Sequence, residues 1–317
     1  MNNTKQSPSF IRKIYNNARG IIVTIPWLFY LSASDAILSF LLPFSFISPT
    51  LVYNLSSIIA SLVWHGIQQI FVSFNHANIT ISGIPLPQNE SAIVVVNHVS
   101  WTDFYMIQAL AIRSGMLGRC RYFAKKQLRW VPFLGWGLWA MGMPLVSREW
   151  TKDQKEIERV FWGPKQFGWP IWLISYSEAT RFTPRKHAET VRWCEANLRP
   201  IPKHTLYPRT KGFISMVQHL RETSQVKAVY DLTIAYAHRD KFLEAPDIWQ
   251  TMSQPHLDRD WRFHLHVERY ALKDLPMTPQ NLARWLEERW MEKGERLEKL
   301  RLKLEAGEGW GDAGKRD

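Results

Sequence analysis

From Gly20 to Asn89 the chain carries one charged side chain, that of Asp35. A soluble domain seldom goes so long without charge, because its surface has to face water. Ile21 to Phe46 is long enough to cross a bilayer, which takes about 20 apolar residues. Pro26 and Asp35 interrupt it, and an Asp at mid-membrane costs roughly 2.5–3.5 kcal/mol on insertion scales. The stretch therefore either spans the bilayer or bends and lies shallow in it. Leu51 to Phe74 is a second apolar stretch, with Asn54 and His65 inside it. We read residues 1–76 as a membrane-embedded helical hairpin that enters a membrane and returns. A cleaved leader fits poorly, because the apolar stretch is too long and no small-residue cleavage site follows. A hairpin leaves both ends on one side. The basic N-terminus, with Lys5, Arg12, Lys13 and Arg19, then shares that side with the basic body, and the positive-inside tendency puts both in the cytosol.

The chain beyond residue 77 reads differently. Short β-branched runs alternate with helical stretches, which argues an α/β domain over 77–305 with a mixed, mainly parallel sheet flanked by helices. Strands are predicted at 78–82, 91–96, 142–146, 170–176, 227–236 and 261–270, and a long amphipathic helix at 279–304. Residues 238–259 read as a loop. From Ala306 the chain is Gly-rich and is expected to be a disordered tail. The net charge of +12, from 40 Lys and Arg against 28 Asp and Glu, suits nucleic acid, an anionic membrane face or a phosphate-bearing substrate. Sixteen tryptophans favour the membrane, since Trp concentrates where apolar medium meets water. No nucleic-acid-binding motif is present, so no nucleic-acid partner is expected. Cys120 and Cys194 form no paired motif, which points to a reducing compartment. No metal-ligand set is seen. His264 and His266 alternate along one strand and read as surface or pocket-wall residues.

The chemistry concentrates at strand ends. Ser91 to Val96 reads as a buried strand that stops at Asn97-His98. Ser100 and Asp103 have the Ser-x-x-acid spacing of a helix start, with Ser100 as the expected cap. From the first turn Asp103 can reach back to the His98 ring, and a carboxylate that fixes one imidazole nitrogen leaves the other free as a base. Backbone N–H groups at this helix start are candidate donors to an oxyanion. Two further polar clusters, Ser147-Arg148 and Glu178 with Thr180-Arg181, also follow strand-like runs. In an open α/β sheet the site lies beyond the carboxyl ends of the strands, so a His–Asp base would meet arginines whose planar forks match phosphate oxygens.

These blocks carry a family resemblance. Asn97-His98-Val99-Ser100-Trp101-Thr102-Asp103 matches the NHxxxxD block of the glycerolipid acyltransferases. Gly142-Met143-Pro144-Leu145-Val146-Ser147-Arg148 looks like their second block. Ser177-Glu178-Ala179-Thr180-Arg181 is similar to the third, usually Pro-Glu-Gly-Thr-Arg, with Ser177 for Pro and Ala179 for Gly. Ala for Gly matters only if the backbone needs positive φ or very close approach. The fourth block usually holds a Pro, and here Ala228-Val229-Tyr230-Asp231-Leu232 has none. Over about 77–236 the chain resembles the lysophosphatidic acid acyltransferase (1-acylglycerol-phosphate acyltransferase) family, in its eukaryotic lysophospholipid and lysocardiolipin branch.

The resemblance implies acyl transfer from acyl-CoA, as co-substrate with no further cofactor, to the free hydroxyl of a lysophospholipid at a membrane such as the endoplasmic reticulum. His98 would be the general base and Asp103 its orienting acid. Arg148, Arg181 and Lys126 would hold phosphate, and Asn97, Glu178 and Thr180 complete the expected substrate contacts. Arg209 and Lys211 would meet CoA phosphates or the headgroup. The alternative is a catalytically weak lipid-binding or tethering protein on the same scaffold. The motifs set neither the lysolipid nor the oligomeric state.

Overall fold

The structure, a computed structural model, describes residues 10–131, 134–147 and 150–310. Two long helices come first, α1 (Phe10–Leu41) and α2 (Pro49–Gln69), and α2 ends in a π-helical turn over Ile70–Phe74. Then follow β1 (Ile79–Gly83), β2 (Ser91–Val96), α3 (Asp103–Arg113), β3 (Cys120–Tyr122) and β4 (Ala124–Lys125). The middle of the chain holds α4 (Leu134–Ala140), β5 (Leu145–Val146), α5 (Trp150–Phe167), β6 (Trp172–Tyr176), α6 (Pro184–Ala196) and α7 (Thr210–Leu220). The last third holds β7 (Val226–His238), β8 (Lys241–Phe242), α8 (Ile248–Ser253), α9 (Leu257–Asp260), β9 (Trp261–Ala271) and α10 (Pro279–Glu305).

The main sheet runs β1-β9-β7-β2-β6-β3, with β8 pairing β7. Neighbours are parallel except β7 with β9 and with β8. The expected mixed, mainly parallel sheet is therefore present. Strand β2 is buried on every residue, as a central strand covered on both faces must be. Its side chains alternate. Ala92, Val94 and Val96 join a core that includes Tyr105, Met106 and Ile107 of α3. Ile93 and Val95 join the opposite core, with residues of α5, α7 and α10.

The hairpin is also as expected, with both arms, Phe10–Phe46 and Pro49–Phe74, long and apolar enough to cross a membrane. Helix α2 is two-faced. Val52, Ser56, Ala60, Val63, Ile67 and Phe71, at three- and four-residue spacing, are buried against the domain. Leu51, Leu55, Ile58 and Leu62 are exposed. The seam is polar in places. Arg119 donates to Asn54 Oδ1 (2.9 Å) and Ser57 Oγ (3.0 Å), and Arg121 also donates to Ser57. Both guanidinium groups lie over the Tyr53 ring, at 4.9 and 5.1 Å. Part of the basic run 113–129 is thus turned inward to hold the hairpin.

Other expectations need correction. The strand read at 142–146 is only Leu145–Val146, and it pairs with β4 in a separate two-stranded ribbon. The loop read at 238–259 carries β8, α8 and α9. The tail expected to be disordered from 306 is ordered as far as Trp310. That indole is buried beside Ala235, Ala237 and Leu297 and donates to Leu300 O at 2.8 Å.

Candidate active site

Strands β2 and β6 run parallel in register from Ala92↔Trp172 to Val96↔Tyr176, so Asn97-His98 and Ser177-Glu178 leave the sheet side by side at its carboxyl edge. Helix α3 then starts at Asp103. Ser100 does not cap it, and the helix start carries no side-chain cap. The chain is held instead from the other direction. The Asp103 carboxylate accepts from Val99 N (2.8 Å) and Ser100 N (3.2 Å). It also takes the Tyr236 hydroxyl at 2.8 Å and His98 Nδ1 at 2.7 Å.

A carboxylate oxygen can only accept, so His98 Nδ1 is the donor in this bond, and Nε2 has no hydrogen bond to the described residues. Asp103 is fully buried, while the His98 side chain is 20% exposed. The imidazole has one further restraint, stacking on Tyr176 at 4.1 Å between centroids. Burial holds the hydroxyls of Tyr176 and Tyr236 well above the usual phenol range, so Tyr236 serves Asp103 as a neutral donor. The sequence reading missed both tyrosines. Each sits on a strand run that reads as core, and nothing local marks it as polar.

The expected oxyanion donors at the helix start are mostly spent. Val99 N and Ser100 N are on Asp103, and His98 N donates to Glu178 Oε1 at 3.3 Å.

Asn97, expected among the substrate contacts, has its side chain turned into the protein. It is 1% exposed, and its amide bonds Ile234 O (2.9 Å) and Ile234 N (2.8 Å), extending the β2–β7 ladder past its last strand pair. Glu178 likewise points inward. It is 4% exposed and takes N–H groups from His98, Leu206 (3.2 Å) and the Trp290 indole (3.3 Å). Burial pushes its carboxyl up to about 8, and the nearby Asp103 charge adds to this, against the lowering effect of those three bonds.

Thr180 Oγ1 accepts from Lys186 Nζ at 2.6 Å, and the same ammonium donates to Arg181 O at 3.2 Å. Arg181 is exposed, and the next residue, Phe182, donates its N–H to His98 O at 2.7 Å. The third block is thus tied to the first beside the imidazole. Arg209 is exposed at the start of α7, with its N–H on Ser177 O. Lys211 is exposed and lines a groove of about 280 Å³ with Ile157, Glu158, Ile214, Gln218 and His219. That groove lies on the sheet face opposite α3. Lys126 is exposed. The pairing Lys125↔Val146 sets it level with Ser147, which bonds Asp153. Arg148 lies outside the described residues. Among the described residues no group of His, Cys, Asp and Glu could hold a metal ion.

A His–Asp pair thus stands at the carboxyl edge of an α/β sheet, with the exposed Arg181 next to the Phe182 N–H that clasps His98 O. The acyltransferase family model matches residues 78–237 and the acyltransferase C-terminus model residues 259–302. The chain belongs to the acyltransferase family. It is 33% identical over 211 residues to a 1-acyl-sn-glycerol-3-phosphate acyltransferase 2 from Brassica oleracea, covering 66% of this chain and 51% of the relative. It is 33% identical over 204 residues to the delta enzyme of Homo sapiens, covering 64% and 51%. The chain thus spans about half the length of these relatives. The crystal structure of the 1-acyl-sn-glycerophosphate (LPA) acyltransferase PlsC from Thermotoga maritima aligns with TM-score 0.49 and 15% identity, over 90% of this chain and 98% of that one.

Proposed function

We propose that the chain transfers an acyl group from acyl-CoA to the free hydroxyl of a lysophospholipid, without an acyl-enzyme. The observation that carries this is the His98 ring, clamped at Nδ1 by Asp103, with no hydrogen bond to the described residues at Nε2. His98 Nε2 takes the proton of the lipid hydroxyl, and that oxygen attacks the thioester carbonyl. The C–S bond then breaks, and the CoA sulfur leaves with the proton returned by the imidazolium. Asp103 keeps the tautomer throughout, the logic of a Ser-His-Asp triad with the substrate hydroxyl in place of the serine. The unspent amides of the turn, those of Trp101 and Thr102, are the remaining candidates for the oxyanion. Arg148, Arg181 and Lys126 hold the lysolipid phosphate, and Arg209 and Lys211 meet CoA phosphates or the headgroup. The hairpin keeps the site at a membrane, with the domain on the cytosolic face of the endoplasmic reticulum. The intact His98–Asp103 pair speaks against a mere tethering protein.

The test is a radiolabelled acyl-CoA assay on the full chain with a panel of lysophospholipids. His98→Ala should lower turnover by about 10²–10⁴ while the protein stays folded and membrane-bound. Full activity in that variant would place the base elsewhere.

A further inference from the structure

Glu178 has its side chain turned into the protein, so its value to the site lies in what it holds. Its Oε1 takes two N–H groups at the same 3.3 Å distance, one from the His98 backbone and one from the Trp290 indole. Oε2 takes the Leu206 N–H. One carboxyl group therefore joins the turn that carries the base, the 198–208 segment and helix α10. An indole has a single polar atom, a donor, and burying it unpaired is costly. Trp290 is 0% exposed, and its partner is the acid beside the base.

One turn further along α10, Lys293 is also fully buried. Its ammonium donates to Asp231 Oδ1 and to Leu232 O of β7 and lies 5.0 Å from the Trp290 ring centre. Asp231 and Leu232 pair with Val95 and Val96 of β2, the last strand residues before Asn97-His98. Buried ion pairs add little net stability, and their best-attested use is to fix register.

We infer that Trp290 positions the His98 base through the Glu178 carboxyl group, with the Lys293–Asp231 pair setting the depth of the indole. Helix α10 is then part of the catalytic apparatus rather than a cover for the sheet. This rests on the acyl-transfer reading above. Removing the indole N–H leaves Oε1 held by the His98 amide alone, at 3.3 Å, so the carboxyl group can turn about its side chain and loosen that bond. Trp290 is fully buried, so on this inference its loss lowers kcat and spares KM.

The experiment uses the full chain in lipid nanodiscs with three variants. Trp290→Phe keeps an apolar ring and loses the donor. Trp290→His keeps a donor and loses packing. The third places 3-benzothienylalanine at position 290, which keeps the bicyclic shape with sulfur in place of N–H, so the fold is preserved even if the other two fail. We expect the isostere and Trp290→Phe to lose about tenfold or more in kcat, as small misplacements of a base do. KM for both substrates should stay within about twofold. Trp290→His should be less stable than Trp290→Phe yet more active, an order that a purely structural role reverses. Amide exchange at His98 and Leu206 should quicken about tenfold in the isostere, a readout that needs no turnover. An isostere with wild-type kcat and unchanged exchange overturns the inference. A wild-type protein that transfers no acyl group sinks the acyl-transfer reading instead, and the exchange measurement then decides the positioning on its own.

Discussion

Ala179 shows how much one methyl group can reveal. The family pattern has Gly there, and the backbone of Ala179 sits at φ +58°, closing the turn in which its N–H bonds Tyr176 O at 2.9 Å. A left-handed conformation costs an L-residue roughly 1–2 kcal/mol, while Gly adds about 0.4–1 kcal/mol of unfolded-state entropy. The first effect is larger. Ala179→Gly should therefore raise stability by about 0.5–1 kcal/mol, read as a higher denaturation midpoint with kcat unchanged. A lower midpoint would mean the turn does not hold that φ. The sequence marked Ala179 only as a departure, because the torsion it must adopt is set by the Tyr176–Ala179 turn and the clasp on His98. The His98–Asp103 pair was legible because its partners lie only five positions apart, across the turn from β2 into α3. Tyr236 was not, since it reaches Asp103 from 133 positions away. Glu178 was legible as a polar residue at a strand end, but its inward aim depends on Leu206 and Trp290, which no local pattern connects to it.

Helix α10 was the most legible single element, since Leu282, Leu286, Trp290, Leu297, Leu300 and Leu304 trace its buried face. What the pattern hid was how closely the helix approaches the 198–208 segment. A Cβ on Gly294 would stand 2.8 Å from both the backbone N and O of Lys203. Gly to Ala inside an exposed helix gains about 1 kcal/mol, but forcing a methyl against backbone costs about 1–3 kcal/mol. Backbone atoms cannot rotate away, so the clash wins. Gly294→Ala should lower stability by about 1–2 kcal/mol and also reduce kcat, because the displaced segment carries the Leu206 amide that binds Glu178. A neutral or stabilising result would show that α10 and the segment are not so closely apposed. The ribbon strands β4 and β5 were the least legible, each having only two residues, too short for any period to register.

The whole molecule sets a sheet-edge site beside a hairpin whose two faces do different things. One face is locked to the domain by the Tyr53–Arg119–Arg121 stack, by Phe71 on Tyr105 at 4.2 Å, and by Arg19, whose guanidinium meets the carbonyls of Met252, Ser253 and Phe74. The other exposes Ile11, Ile22, Phe29 and Phe40 of α1 together with the outward leucines of α2. An apolar surface of that length marks a site of contact with a membrane or with another protein. Because the inward face is fixed, the depth of the hairpin in a bilayer also fixes the distance of His98 from the headgroups. Alkaline carbonate strips proteins held by charge alone, so the full chain reconstituted in vesicles should stay in the pellet after a carbonate wash. Replacing Ile22, Phe29 and Phe40 together by Asp should release it, since each charge near mid-bilayer costs about 2.5–3.5 kcal/mol. The released variant should keep its fold, because none of the three side chains is buried against the domain. Quantitative release of the unaltered chain would make it a peripheral protein and would detach the position of the site from the depth of the hairpin.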